Sequence, residues 1–118
     1  MRVRTLPLLA VLALAACGEG PVTRESARSF TVTLDDYFIR PQNISAPGGE
    51  LTVTAVNRGR LGHTLRIRIN DKVVLAFMAI PPGERRTRTF HLRKGRYTVF
   101  CAIGNHEELG MHGTLVVG

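Results

Sequence analysis

The sequence contains little cysteine, no tryptophan and no long apolar run. Two Cys among 118 residues are too few for a disulfide-rich scaffold. The 12 Gly are too few for a collagen-like chain, and no segment shows the sustained helical period of a coiled coil. A chain of this length is expected to form one domain, which excludes a large enzyme with separate substrate and cofactor domains.

The N-terminus carries an export signal. Arg2 and Arg4 precede an apolar stretch over residues 6–16, which at about a dozen residues is too short to span a bilayer. The sequence LAAC at residues 14–17 resembles the bacterial lipobox, whose cysteine receives a diacylglyceryl group and becomes the mature N-terminus. This resemblance predicts a lipidated Cys17, and the alternative is an ordinary signal peptide with an incidental cysteine.

This signal predicts three segments. Residues 1–16 are expected to form a lipoprotein signal peptide, residues 17–27 the lipidated cysteine with a flexible linker, and residues 28–118 the folded domain. We therefore expect an exported protein, periplasmic or at the extracytoplasmic face of a bacterial membrane and held there by lipid. Cys101 is then a lone thiol in an oxidising compartment, where a bound metal would protect it.

Basic residues outnumber acidic ones. Without Arg2 and Arg4, 14 Lys and Arg remain against 9 Asp and Glu, a net charge of +5. Export argues against nucleic acid, so the expected partners are anionic lipid headgroups or redox proteins with an acidic surface. One candidate docking patch, otherwise a solvated face, comprises Arg85, Arg86, Arg88, Arg93, Lys94 and Arg96.

From about Ser29 onward, apolar and polar residues alternate with a period of two. Such runs describe strands with one buried and one wet face, here residues 30–34, 51–55 and 63–70. Further strands are expected near residues 72–76, 86–92, 96–101 and 113–117. Turn residues separate these runs, and about seven to eight short strands predict an all-β fold, an antiparallel β-sandwich.

Four side chains form a candidate metal site. Cys101, His106 and Met111 follow one another as Cys-x4-His-x4-Met where a predicted strand runs out into a loop, and His63 begins an earlier strand. Two imidazoles, a thiolate and a weak thioether are the donors of a blue-copper electron-transfer site. Strand parity puts His63 and Cys101 on the apolar faces of their strands, so both are expected to point into the core.

These residues, with further landmarks in order, resemble the cupredoxin family over about residues 28–118. The landmarks are Pro41-Gln42-Asn43-Ile44, Pro47-Gly48-Gly49-Glu50, Asn57-x-Gly59-x3-His63, Pro82-Gly83-Glu84, Gly95-x-Tyr97 and Gly110-Met111-x-Gly113-Thr114-Leu115. The resemblance implies a Greek-key sandwich holding one type 1 copper ion. It also implies that the equatorial ligands are His63, Cys101 and His106. The axial ligand is then Met111.

The resemblance further implies an electron port around an exposed ligand. The ligand is His106, and the surrounding apolar patch would come from Ile103, Gly104, Leu109 and Gly110. The sequence departs from plastocyanins and azurins at Thr64, where they carry Asn. It departs from many relatives at Asn105, where they have Gly or Pro.

Other interpretations explain less of the pattern. A zinc site would use Cys and His but gain little from Met. A dinuclear copper site needs a second Cys in the ligand loop, which the sequence lacks. A purely structural sandwich would leave the four donors incidental. His112 and His91 are expected to be ordinary non-ligating residues, and Met78 to pack in the core or a loop.

The predicted function is transfer of single electrons by a monomeric, membrane-anchored protein that is not an enzyme. No Ser/His/Asp set, carboxylate pair or Gly-rich phosphate loop stands out, and four protein donors would leave copper no open position for substrate. The alternative is a copper carrier or assembly factor that delivers Cu(I) to a partner. The two differ in whether copper is kept through redox cycles or released.

Overall fold

A computed structural model describes residues 20–118 as ten strands and one short helix. The strands are β1 (Val22–Arg24), β2 (Ser29–Asp35), β3 (Phe38–Arg40), β4 (Asn43–Ala46), β5 (Gly49–Asn57), β6 (Arg66–Ile69), β7 (Lys72–Ala76), β8 (Arg85–Leu92), β9 (Gly95–Phe100) and β10 (His112–Val117). The helix α1 (His106–Leu109) lies between β9 and β10. The signal segment and Cys17 lie outside the described residues, and no helix within residues 20–118 is long and apolar enough to cross a membrane.

The strands form two sheets, which confirms the predicted β-sandwich. One sheet has the order β1-β4-β10-β9-β6-β7 and the other β3-β2-β5-β8. Both are mixed rather than wholly antiparallel, because β1 and β10 run parallel to β4, and β2 runs parallel to β5. Strands β1, β3 and β4 have only three or four residues, too few to show alternation, so the sequence predicts fewer strands than form.

The predicted strand positions hold best in the second half of the chain. The strands expected near residues 72–76, 86–92, 96–101 and 113–117 all occur, with ends shifted by one residue at most. Strand β1 lies within residues 17–27, where the sequence predicts a flexible linker. It pairs with β4, with Val22 opposite Asn43, so the sandwich begins earlier than expected.

The alternating apolar residues fill the space between the sheets. They form one buried cluster with members from both sheets, including Val32, Leu34, Leu51, Val53, Ile67, Val99 and Leu115. Cys101 and Met111 belong to this cluster, with 1% and 0% of their surface exposed. The candidate donors therefore lie inside the core, at the end of the sandwich where β9 finishes.

Strand β8 is an edge strand that carries arginines on its inner side. Arg86 and Arg88 lie opposite the buried Ala55 and Val53, yet both are exposed. Arg88 Nη1 donates to the Ala76 carbonyl at 2.7 Å, which links β8 to β7 at the edge of the other sheet. Inward-pointing charges on an edge strand oppose pairing with another chain.

Candidate metal centre

Three of the four predicted donors meet at one point. The ligand atoms of His63, Cys101 and His106 all lie within 4.8 Å of one another. Cys101 Sγ is 3.9 Å from His63 Nδ1 and 3.7 Å from His106 Nδ1. The three residues are 0%, 1% and 8% exposed in chain order. Two imidazole nitrogens therefore face one sulfur at a place almost closed to water.

The fourth predicted donor, Met111, is buried in the same cluster. The Cys101 N–H donates to the Met111 carbonyl at 3.0 Å, and the Met111 N–H donates to the His106 carbonyl at 3.0 Å. The segment from Cys101 to Met111 is thus a loop closed on itself, and it carries three of the four predicted donors.

The donor separations fit a metal ion. Metal–sulfur and metal–nitrogen bonds of about 2.3 Å and about 2.0–2.1 Å, as for zinc, put sulfur and nitrogen about 3.8 Å apart at a trigonal angle of about 120°. The observed 3.9 Å and 3.7 Å bracket that distance. A thioether adds little for zinc, whereas thiolate, two imidazoles and a weak thioether are the donor set of a type 1 copper site. The residues present therefore suit one type 1 copper ion.

His63 reaches the site from outside the strands. The sequence predicts that a strand begins at His63, but β6 begins at Arg66. His63 instead forms an isolated antiparallel bridge with Ile80, in which its N–H donates at 3.2 Å and its carbonyl accepts at 2.8 Å. This pair of bonds fixes the backbone of the ligand even though no sheet includes it.

A one-turn helix carries His106. Helix α1 has only four residues, too few to show a helical period, so the sequence does not predict it. Gly104 and Gly110 flank it with φ of 49° and 137°, backbone conformations that residues with a Cβ rarely adopt. A Cβ at Gly110 would also lie 2.6 Å from the Tyr37 carbonyl oxygen. These glycines let the loop turn back towards the core within a few residues.

An ion pair joins α1 to the neighbouring sheet. Arg68 of β6 donates to both carboxylate oxygens of Glu107, at 2.9 Å and 2.7 Å, and lies over the Phe100 ring at 4.2 Å. The hydrogen bonds from Arg68 hold the pKa of Glu107 below its usual value, against the effect of partial burial. About a third of each side chain is exposed, so the pair orients the helix more than it stabilises the fold.

Thr64 links the two ligand segments, although plastocyanins and azurins carry Asn at this position. Its N–H donates to Cys101 Sγ at 3.4 Å, and its hydroxyl accepts from the Ala102 N–H at 2.9 Å. Hydrogen bonding around the cysteine sulfur is one of the features that set the potential of such a site. The threonine therefore connects the segment after His63 to the ligand loop.

Asn57 organises the His63 segment, a role that the sequence does not predict. Its Nδ2 donates to the carbonyls of Leu61 and Ile80 at 2.8 Å and 2.7 Å, and its Oδ1 accepts from the Gly59 N–H at 2.8 Å. Asn57 is fully buried. Asn57 begins the family landmark that leads to His63, which marks the position in the sequence. The landmark does not indicate which backbone groups its side chain binds.

The turn between β2 and β3 contacts both histidines, and nothing in the sequence predicts this contact. Asp36 Oδ1 lies 2.6 Å from His63 Nε2, and the Tyr37 ring meets the His106 ring edge-on, with centroids 5.0 Å apart. Asp36 and His63 are 27 positions apart, so no local spacing indicates the contact. The Arg60 N–H holds the pKa of Asp36 below its usual value; partial burial opposes this, and bonds from His63 and the Leu61 N–H add to it.

Three other residues considered from the sequence lie outside the donor cluster. His91 and His112 are exposed, and neither belongs to a group of potential metal donors among residues 20–118. Met78 lies in the loop after β7 and is 84% exposed, so of the two expected places, core or loop, the core is excluded. It lies on the surface two residues before Ile80, the partner of His63.

Two sheets around a buried Cys and two His, with a Met where the ligand loop rejoins the sheet, define the cupredoxin class of fold and site. The chain belongs to the cupredoxin-like domain family, whose sequence profile matches residues 6–117. This confirms the resemblance seen in the sequence. No curated protein matches the chain by sequence.

Solved structures share this fold at low identity. Reduced auracyanin from the photosynthetic bacterium Roseiflexus castenholzii is 18% identical with a TM-score of 0.71, covering 80% of this chain and 99% of its own. Rusticyanin from Thiobacillus ferrooxidans is 20% identical with a TM-score of 0.68, covering 86% of this chain and 84% of its own. Auracyanin B is 18% identical with a TM-score of 0.69, covering 86% and 92%.

Proposed function

We propose that this protein carries single electrons between redox partners outside the cytoplasm by means of one type 1 copper ion. The observation that carries the proposal is the group of His63, Cys101 and His106, buried and already spaced for a trigonal metal. Rusticyanin, a structural neighbour, is described as a copper protein, which agrees with this donor set. With Met111 as fourth donor no position is left for a substrate, which supports electron transfer and argues against catalysis.

The residues around the donors restrict their movement. Copper supplies a one-electron couple when bound. Thr64 joins the two ligand segments and Asn57 holds the backbone on both sides of the His63 bridge. Donors held in this way move little when the charge at their centre changes, which favours fast electron exchange.

The route to a partner runs past Tyr37. The family resemblance implies that His106 is an exposed ligand, but His106 is only 8% exposed and the Tyr37 ring lies against it. Tyr37 is itself 37% exposed and Leu109 is 51% exposed. We therefore assign the electron port to the surface formed by Tyr37, His106 and Leu109. Weak, brief docking through such a small surface is typical of electron carriers.

Copper retention distinguishes electron transfer from the alternative function, delivery of Cu(I). An electron carrier keeps its copper through redox cycles, whereas a copper carrier releases it. We expect the copper-loaded protein to keep its metal through repeated cycles of ascorbate reduction and ferricyanide oxidation in the presence of a Cu(I) chelator of moderate affinity. The expectation follows from the burial of the donors and from the hydrogen bonds that hold them. Copper in the protein and in the chelator would be measured after each cycle, beside stopped-flow electron exchange. Rapid transfer of Cu(I) to the chelator with no competent electron exchange would favour the carrier.

We also propose that an acidic partner docks at the end of the sandwich that holds the donors. The basic residues expected to form one patch are spread along the length of β8. Arg85 lies at the end of β8 near Asn57, while Arg93 and Lys94 follow its other end. Arg58 and Arg60 are exposed in the segment leading to His63. We propose that these two arginines, rather than the whole hairpin, attract negative charge to the electron port.

Anionic and cationic oxidants test this placement. Oxidation by ferricyanide should slow with added salt, because screening weakens its attraction to the basic site end, while oxidation by a cationic cobalt(III) complex should speed up. Arg58→Glu with Arg60→Glu should slow the ferricyanide reaction more than Arg93→Glu with Lys94→Glu, which changes net charge equally at the opposite end. Equal slowing by both pairs would show that only net charge matters.

A lipid anchor at Cys17 would hold this docking surface near a membrane. The export signal and the lipobox-like sequence at residues 14–17 support the anchor. The short segment between Cys17 and β1 would keep the sandwich close to the lipid surface, where a membrane redox partner is within reach.

A further inference from the structure

The Asp36 carboxylate is held in a fixed position behind the first histidine ligand. Its Oδ1 lies 2.6 Å from His63 Nε2, and its Oδ2 accepts from the Arg60 N–H at 2.9 Å. His63 is fully buried, and the Asp36 side chain is 20% exposed. Gly59 makes room for this contact, because a Cβ there would collide with Asp36 Oδ1 and lie 2.7 Å from His63 Nε2.

This arrangement decides which nitrogen of His63 is open. A carboxylate oxygen can only accept, so in the neutral ring that a metal ligand requires the hydrogen lies on Nε2, towards Asp36. Nδ1 is then bare, and it is the nitrogen that faces Cys101 Sγ at 3.9 Å. A ring with the hydrogen on Nδ1 would present a donor to the metal position and lose the bond to Asp36.

We propose that Asp36 is a positioning residue for the copper site: its carboxylate holds His63 with Nδ1 bare towards Cys101, and its charge favours Cu(II) over Cu(I). A carboxylate bonded to the far nitrogen of a ligating histidine orients the ring and makes it more basic, and loss of such a partner costs about 10–100-fold in metal affinity. The added negative charge stabilises the higher metal charge more than the lower. The inference rests on the proposed function only for its redox part, since the ring orientation is a property of the metal-free protein.

Asp36→Asn tests both parts. The His63 Nε2–H and the Arg60 N–H face different oxygens of the carboxylate, so the NH2 group of the amide must face one of these donors, which then loses its acceptor. In metal-free protein at pH 8, nitrogen-15 shifts of His63 should show hydrogen on Nε2 in the wild type and a mixture in the variant. Cu(II) affinity should fall by about tenfold or more with less change for Cu(I). A tenfold difference raises the potential by about 59 mV.

Two further variants separate charge from contact. Asp35→Asn removes the same charge one residue earlier, where the side chain accepts from the Asp36 N–H at 2.8 Å, and should behave like the wild type. Gly59→Ala keeps the charge but displaces the contact, so it should alter the His63 tautomer even if the potential changes less than in Asp36→Asn. If Asp36→Asn keeps the wild-type tautomer and potential, or if Asp35→Asn shifts the potential equally, the proposal is wrong. A changed tautomer in a protein that never forms a blue copper site would instead overturn the proposed function alone.

Discussion

Cys101→Ser should abolish the colour of the copper-loaded protein. Cys101 Sγ lies 3.9 Å and 3.7 Å from the two histidine nitrogens, and Cys101 is 1% exposed. No other cysteine lies within the described residues to replace it as an equatorial donor. The intense visible band of a type 1 site arises from charge transfer between thiolate and Cu(II), and a serine oxygen cannot supply that transition. The absorption spectrum of oxidised, copper-loaded protein measures the loss directly.

Met111→Leu is the matched control for this experiment. Leucine keeps the buried volume of Met111 and removes the thioether, which is expected to be a weak axial donor. The variant should retain copper and the visible band, and its potential should rise because a donor that favours Cu(II) is lost. A Cys101→Ser protein that remained blue, or a Met111→Leu protein that lost its colour, would contradict the donor assignment.

Asn57→Ala should destabilise the metal-free fold by about 3 kcal/mol or more, because three backbone groups lose the partner that a fully buried side chain supplies and each such loss costs about 1–3 kcal/mol. For a domain of this size the melting temperature should fall by roughly 12 °C or more. The carbonyls released belong to Leu61 and Ile80, on either side of the His63 bridge. Copper affinity should therefore fall as well.

Thermal unfolding of metal-free Asn105→Ala provides the comparison. Asn105 is exposed and its side chain makes no capping bond to α1, so the same substitution there should cost less than about 0.5 kcal/mol. If the two variants melted at similar temperatures, the bonds of Asn57 would not be the source of stability assigned to them.

The sequence predicts the donors and the sandwich for a common reason. Cys101, His106 and Met111 are close along the chain, and β-strand alternation is a local pattern, so both are visible without knowledge of distant contacts. The family landmarks add His63. The surroundings of the donors are not local: Asp36 lies 27 positions from His63, and Thr64 lies 38 positions from Ala102. Only the pairing of β2 with β5 and of β6 with β9 brings these residues together.

The same limit explains the errors in exposure. Met78 lies in a loop and His106 in the one-turn helix α1, and at neither position does strand parity tell which side faces the core. Met78 proves to be on the surface, and His106 is covered by a ring from the β2–β3 turn that no sequence pattern associates with it. Burial in loops depends on which other loops lie against them, and that is a property of the assembled sandwich.

The loop from Cys101 to Met111 is closed at its base and carries three of the four predicted donors, while His63 comes from another segment. Its two ends are joined by the bond between the Cys101 N–H and the Met111 carbonyl, and β9 and β10 continue from it as an ordinary antiparallel pair. Residues can therefore be inserted or exchanged within the loop without altering the register of the sheet. We expect proteins related to this one to differ in the length of this loop. Each change in length would alter the reduction potential of the copper site and leave the sandwich unchanged.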